Sequence, residues 1–155
     1  MSTYTATIRW SRNGAEGFAK GQYSRAHEWA FDGGTVVPAS ASPHIVPEPW
    51  SDLKGVDPEE AFVASLASCH MLFFLDFARR GGFVIDTYED ESEGVLAKDT
   101  EGRMAMTVVT LRPRIVFSGD KRPTREDLDA LHHKSHEACF IANSVKTEVR
   151  IEQVE

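Results

Sequence analysis

One segment, residues 57–82, constrains the fold of this chain more than any other feature of the sequence, because it contains the longest apolar run, Ala61 to Ala78. It opens with Asp-Pro-Glu-Glu at 57–60, where the aspartate suits a helix N-cap, the proline suits the first turn and the glutamates complement the helix dipole. It ends at Gly81-Gly82, a common helix stop. Between Ala61 and Leu75 apolar or small residues occupy nearly every side, and such a helix must be covered all round. The pattern therefore predicts a central helix, either of the fold or of a dimer.

Alternating segments on either side of this helix predict β-strands, because β-branched and aromatic residues recur in them with a period of two. The first two strands are expected to form a hairpin. The proline-containing stretch 32–57 that follows them is expected to be irregular. The predicted strands cover residues 4–10, 22–31, 84–95, 104–117 and 144–154.

A second helix is predicted over residues 124–142. Thr124 suits its N-cap, and Asp127 three residues later resembles a capping box with aspartate in place of the usual glutamate. On a helical wheel Cys139 lies on the core-facing stripe of this helix. The element order ββ-α-ββ-α-β predicts an α+β fold, and the length predicts a single domain over residues 1–155.

Composition argues against several kinds of partner. A formal net charge of −7 argues against nucleic acid, because phosphate binding needs a basic surface. Residues 1–14 lack the apolar centre of a signal peptide. Ser65, His70 and Asp76 interrupt the apolar segment, so we expect no membrane span. The expected location is the cytoplasm, where two cysteines do not predict a structural disulfide.

The two cysteines are the candidate reactive groups. Cys69 lies inside the apolar helix and Cys139 on the buried stripe of the second helix, and two buried helices in a small domain pack on each other. The two thiols could then face one another, although two inert buried thiols are the simpler alternative. A reactive thiol in apolar surroundings also needs a nearby cation, because burial alone raises its pKa. His70 projects about 100° away from Cys69, so an arginine is the better candidate, and the sequence leaves open which one.

Each cysteine lies in a distinctive segment, VDPEEAFVASLASC at 56–69 and HEACFIANS at 136–144. Both segments, together with the element order and the length, resemble the OsmC/Ohr family of osmotically inducible and organic hydroperoxide resistance proteins. The resemblance implies an OsmC-like fold in which antiparallel sheets wrap around two central helices. It also implies an intertwined homodimer with the site at the subunit boundary.

The activity that the resemblance implies is that of a thiol-dependent peroxidase, which reduces organic hydroperoxides, with hydrogen peroxide as a second candidate substrate. Cys69 matches the peroxidatic cysteine, which becomes a sulfenic acid, and Cys139 matches the resolving cysteine, which forms a disulfide with it. An external dithiol then reduces the disulfide, a lipoyl-type thiol being one candidate. No bound cofactor and no metal are expected.

A charge pair beside the peroxidatic thiol is implied as well. Glu59 matches the family's glutamate, which pairs with an arginine from the N-terminal β region, and Arg25 is preferred here to Arg12. In a straight helix Glu59 and Cys69 are about 15 Å apart. Either the helix breaks between them or the arginine spans part of that distance.

Two alternatives stay open. His70 and Phe140 replace the aromatic residue and the proline that follow the family's two cysteines, which is compatible with a non-catalytic OsmC-like protein that binds a ligand or senses redox state. His132 and His136 share a helix face close to Cys139, a spacing that could bind zinc. The positions between these histidines hold no glutamate of the zincin type, and both histidines lie at the rim of the buried stripe, where solvated side chains are common.

Overall fold

The computed structural model describes residues 1–14 and 17–155. Within them lie eight β-strands and two α-helices, in two compact units, Met1–Ala61 and Phe62–Glu155. The predicted α+β class with two helices is therefore confirmed. The single domain over residues 1–155 stays a prediction.

The first unit contains one antiparallel sheet. Its strands are β1 (Thr7–Arg9), β2 (His27–Ala30) and β3 (Val36–Ala39), with β2 in the middle. The predicted hairpin is confirmed, since Ile8 on β1 pairs with Trp29 on β2. β3 lies in the stretch 32–57, and the expectation that this whole stretch is irregular is wrong. Pro38 fits within β3 because an edge strand tolerates a residue that donates no hydrogen bond.

The helix α1 (Pro58–Arg80) is continuous through the predicted apolar segment. At its start Asp57 and Glu60 form a reciprocal cap, in which each backbone N–H donates to the other residue's carboxylate at 2.8 Å. After its end Gly82 adopts a left-handed conformation with a φ of 82°, which suits glycine. Both ends of α1 thus lie where the local signals predict them.

Only one stripe of α1 is fully buried within the described part of the chain. The residues of this stripe are spaced by four and so face one direction: Leu66, His70, Phe74 and Ala78. Leu72, on another side, is 60% exposed. The single chain therefore leaves uncovered the other faces that the sequence predicts to be covered. α1 is long and apolar enough to cross a membrane, but the core helix of a soluble protein meets the same criteria of length and composition.

The second unit contains two sheets. In one of them β4 (Val84–Asp90) pairs with β7 (Pro113–Ser118). The other is formed by β5 (Glu93–Lys98), β6 (Met104–Leu111) and β8 (Glu148–Ile151), with β6 in the middle. Each of the two long strands predicted after α1 is thus two strands that belong to different sheets. β8 runs parallel to β6, which departs from the predicted antiparallel arrangement.

Both of these strand breaks involve Asp90. Its carboxylate accepts a hydrogen bond at 2.7 Å from the backbone N–H of Arg112, which lies between β6 and β7. The hydroxyl of Ser92, which lies between β4 and β5, donates to the same carboxylate oxygen. A side chain that satisfies the backbone amide of Arg112 releases that amide from the strand ladder. The chain can therefore leave one sheet and enter the other at this point.

The helix α2 (Arg125–Ala138) begins where it is predicted and ends early. Thr124 and Asp127 form the predicted capping box, with donor–acceptor distances of 3.1 and 2.8 Å. At the other end the N–H of Cys139 donates to the carbonyl three residues before it at 3.3 Å, a spacing that closes the helix. The prediction that Cys139 lies inside the helix is therefore wrong, because Cys139 is its C-cap.

Candidate functional site

The structure brings the two cysteines of the chain together. Cys69 lies on α1 and is half-buried, whereas Cys139 lies at the end of α2 and is 1% exposed. Both are free thiols, and the Cys69 thiol lies close enough to that of Cys139 to raise its pKa. The backbone N–H of Ala142 also donates to Cys139 Sγ, at 3.4 Å. One sulfur is thus partly accessible to solvent and the other is held in the interior.

Burial, together with the neighbouring Cys69 thiol, raises the pKa of Cys139 to about 11. Backbone N–H groups of the following turn oppose this shift less strongly. A thiol with this pKa stays protonated near neutral pH, and the thiolate is the reactive form. Cys139 is therefore suited to a late step, after another sulfur has reacted. Cys69 is the sulfur that a solute can reach.

The two charged residues expected beside the peroxidatic thiol lie in the first unit. Glu59 is half-buried, and its Oε2 is buried without a hydrogen-bond partner among residues 1–14 and 17–155. Arg25 Nη1 donates to the carbonyls of Gly21 and Tyr23 at 2.7 and 2.5 Å, and its guanidinium lies 3.6 Å from the centre of the Tyr23 ring.

These contacts occupy the guanidinium, so the expected ion pair between Arg25 and Glu59 is not formed in the described part of the chain. Since α1 does not break after Glu59, the first explanation for its distance from Cys69 is wrong. The roles of Arg25 and Glu59 stay predictions.

Arg25 also lines an open cavity of about 460 Å³ in the first unit. Aromatic rings form much of this cavity: the ring centres of Phe18 and Tyr23 are 4.6 Å apart, and that of Trp10 lies 5.9 and 5.7 Å from them. His27 lines the cavity as well. An aromatic surface with a few polar groups is the usual composition of a site for small organic molecules.

A buried pair of histidines begins one residue after Cys69. His70 Nε2 lies 3.0 Å from His132 Nδ1, and the two rings are nearly parallel, with their centres 5.3 Å apart. His132 Nε2 lies 2.7 Å from Gln153 Oε1. Because His132 is 6% exposed, the expectation that it lies at a solvated rim is wrong. The sequence does hold one indication of this pair: His70 lies inside an apolar helix, and a buried polar group needs a hydrogen-bond partner.

Burial, together with the neighbouring His132 and His136, lowers the pKa of His70 to about 3. Burial also lowers the pKa of His132, although the hydrogen bond with Gln153 and two nearby aspartates act in the opposite direction. Both rings of the pair are therefore neutral near pH 7.

The zinc alternative finds no support in the described residues. No group of three or more histidine, cysteine, aspartate or glutamate side chains within residues 1–14 and 17–155 is placed to hold a metal ion. Both ring nitrogens of His132 are already engaged, one by His70 and the other by Gln153. His132 therefore offers no free lone pair to a metal.

Comparisons with known proteins agree with this fold. A family model described as OsmC-like protein matches residues 51–154. The solved structure of an OsmC-like protein of unknown function from Vibrio cholerae is 51% identical, with a TM-score of 0.97 over 99% of this chain and 100% of that chain. No curated protein matches the chain.

Two more distant solved structures show a similar fold. The organic hydroperoxide resistance protein OhrB of Bacillus subtilis has a TM-score of 0.65 at 23% identity, over 97% of this chain and 98% of that chain. An OsmC-like protein from Mycoplasma pneumoniae has a TM-score of 0.72 at 14% identity, over 99% of this chain and 96% of that chain. The family model covers most of the chain and the Vibrio protein is half identical along its length, so the chain belongs to the family of OsmC-like proteins.

Proposed function

We propose that this OsmC-like protein is a thiol-dependent peroxidase that reduces organic hydroperoxides, with hydrogen peroxide as a second candidate substrate. The observation that carries the proposal is the proximity of two free thiols of unequal exposure, Cys69 and Cys139. A half-exposed sulfur can meet a peroxide, and a buried neighbour can trap the oxidised product. The name of the Bacillus subtilis protein, organic hydroperoxide resistance protein, supports this class of substrate.

Cys69 starts the proposed reaction. Its thiolate attacks one peroxide oxygen, the O–O bond breaks, the alcohol leaves with a proton from solvent, and the sulfur becomes a sulfenic acid. Cys139 then attacks that sulfur as a thiolate, and an S–S bond forms. Hydroxide leaves and takes up the proton that Cys139 has lost, which gives water. An external dithiol, for which a lipoyl-type thiol is one candidate, reduces the disulfide by two exchange steps without a bound cofactor.

Arg25 activates Cys69 in this proposal, and Glu59 positions Arg25. A buried carboxylate oxygen without a donor is unfavourable, so Glu59 Oε2 would gain from a guanidinium. To pair with Glu59, the guanidinium of Arg25 would leave the backbone carbonyls and the Tyr23 ring that it contacts now. A permanent positive charge favours the thiolate over the thiol.

Proteins of this family are typically homodimers, and we propose the same assembly for this chain. Leu72 on α1 is 60% exposed and Phe140, next to Cys139, is 71% exposed. A second copy of the chain would cover such apolar side chains around the thiols. The proposed location is the cytoplasm, where the thiols stay reduced between turnovers.

Intact-mass analysis before and after one equivalent of an organic hydroperoxide tests the assignment. The wild type is expected to lose two hydrogens, Cys139→Ser to gain one oxygen, and Cys69→Ser to keep its mass. Steady consumption of the peroxide with a dithiol reductant completes the test. A Cys69→Ser variant that consumes peroxide as fast as the wild type would exclude the catalytic assignment.

A non-catalytic redox sensor is the second candidate. The raised pKa of Cys139 favours it, because a protonated resolving thiol closes the disulfide slowly. A Cys69–Cys139 disulfide that forms once and is not returned to the thiols by a dithiol would support the sensor. Repeated turnover of the peroxide would exclude it.

A further inference from the structure

The side-chain contacts between α1 and α2 include two pairs that begin at adjacent residues of α1. Cys69 on α1 lies beside Cys139 at the end of α2, and the next residue on α1, His70, hydrogen-bonds to His132 on α2. The histidine contact is the more deeply buried on the α1 side, because His70 is 1% exposed whereas Cys69 is half-buried. The position of one sulfur relative to the other is therefore linked to the histidine contact.

The hydrogen bonds fix the tautomers of both rings. The amide oxygen of Gln153 only accepts, so His132 carries its proton on Nε2 and presents a lone pair on Nδ1. That lone pair accepts the proton on Nε2 of His70. In this state the Nδ1 atom of His70 carries no proton, and it is buried without a partner among the residues that the structure describes. Hydrogen-bond donation thus runs in one direction, from His70 to His132 and from His132 to Gln153.

Burial keeps the pair neutral in the folded protein, and the charges around it act in both directions. His136 on α2 faces His70 and disfavours a proton on it. Asp129 on α2 and Asp90 on β4 favour a charged His132, but burial outweighs them. A neutral pair has one donor and one acceptor between the rings, whereas two protonated rings would repel each other.

We propose that the His70–His132 hydrogen bond, anchored by Gln153, positions α1 on α2 so that Cys69 and Cys139 stay within reach of disulfide formation. The inference deepens the proposed function and rests on it for its biological purpose. His70 and His132 are positioning residues here, since they act through the placement of the sulfurs. Two thiols held near each other have a high effective concentration, and loss of that placement lowers it.

Equilibration with mixtures of oxidised and reduced dithiothreitol tests this without any peroxide. The two protein thiols give two electrons and two protons to the cyclic disulfide, which becomes a dithiol, so the experiment gives a result even if the peroxidase proposal fails. The disulfide fraction is measured at pH 7 by alkylating the free thiols and determining the mass of the intact protein by mass spectrometry. We expect His132→Leu to lower the equilibrium constant for the Cys69–Cys139 disulfide about tenfold, the effect of losing one buried hydrogen bond.

Conservative and matched variants separate positioning from general loss of structure. His132→Asn places an amide oxygen near the former Nδ1 acceptor, and we expect it to restore most of the equilibrium constant. His133→Leu replaces an exposed histidine on the same helix, and we expect no change. Gln153→Leu removes only the anchor, so it serves if His132→Leu does not fold, and we expect a drop of about threefold.

Nitrogen NMR of the imidazole rings supplies a readout that a merely structural role would not produce. At pH 6 we expect both buried rings to be neutral, each with its proton on Nε2. Equilibrium constants within twofold of the wild type for His132→Leu and Gln153→Leu would overturn the proposal. So would a folded His132→Asn variant as impaired as His132→Leu, or a proton on Nδ1 of His70.

Discussion

The sulfur of Cys139 accepts a hydrogen bond from the backbone N–H of Ala142 at 3.4 Å, within the turn that follows α2. This bond favours the thiolate, yet burial of Cys139 has the larger effect and its pKa rises to about 11. The Cys139 thiol, the proposed resolving group, accepts a hydrogen bond that favours ionisation but is still protonated near neutral pH. Its chemistry should therefore be controlled by pH.

Disulfide closure after oxidation of Cys69 is expected to accelerate with pH. The thiolate fraction of Cys139 rises about tenfold for each pH unit below its pKa, so the closure rate should rise about tenfold per unit between pH 7 and 9. Rapid mixing with peroxide, acid quenching and intact mass measure this rate. Cys139→Ser is the control and should show no closure at any pH. A rate that is constant across this range would exclude thiolate attack by Cys139.

The histidine pair is expected to make the free energy of unfolding depend on pH. His70 titrates at about 3 in the folded protein and near 6.5 when unfolded, so the unfolded chain binds more protons between these values. The contribution of His70 is fully present above about pH 6.5 and is lost as the pH falls towards 3. Between pH 7 and pH 5 urea unfolding should show a loss of about 2 kcal/mol from this residue.

Two variants on different helices check that assignment. His70→Phe should be less stable at pH 7, since it leaves His132 without its donor, but should lose much less stability on acidification. His133→Phe, at an exposed position, should keep the pH dependence of the wild type. If the free energy of unfolding changes with pH equally in His70→Phe and in the wild type, His70 is protonated in the folded state as easily as in the unfolded state.

Arg25 and Arg12 offer a direct comparison of the two candidate activating cations. Arg25→Met should slow the oxidation of Cys69 about tenfold, because loss of a permanent positive charge disfavours the thiolate. Arg12→Met, at an exposed position, should react like the wild type. The measurement is the pH dependence of Cys69 alkylation and of peroxide reduction. A loss confined to Arg12→Met would reverse the choice between them.

Leu72 tests the proposed homodimer. Its side chain is 60% exposed in the single chain, so a charge there is compatible with a folded monomer but not with a packed interface. Leu72→Glu should convert a dimer to a monomer in sedimentation equilibrium while leaving the circular dichroism spectrum unchanged. His133→Glu, on the polar side of α2, should remain dimeric. A wild-type protein that sediments as a monomer would exclude the proposed assembly.

The helices could be predicted from the sequence because their signals are local. The cap at Asp57 and the capping box at Thr124 each lie within four residues of the amide that they bind. The strand breaks could not be predicted in this way, since alternation continues through them. They depend on the bond between Asp90 and Arg112, which are 22 residues apart.

Part of the site could also be predicted, because its signals are local in the sequence. The two cysteines have sequence surroundings that identify them, and the structure places them close together. A helical wheel places His132 at the solvated rim because no partner for its imidazole lies nearby in the sequence, and its partner His70 is 62 residues away. Arg25 is expected from the family resemblance alone, which does not predict its contact with the Tyr23 ring.

The cap at the start of α1 assigns different tasks to two adjacent acids. Glu60 is occupied with the backbone N–H of Asp57, while an oxygen of Glu59 is enclosed without a donor among the described residues. A glutamine could replace Glu60 with little loss, since an amide oxygen accepts the same hydrogen bond. The same exchange at Glu59 would remove a negative charge from the interior. Among relatives, replacement of the residue at position 60 should therefore change the stability of the helix, whereas replacement of the residue at position 59 should change the reactivity of the thiol.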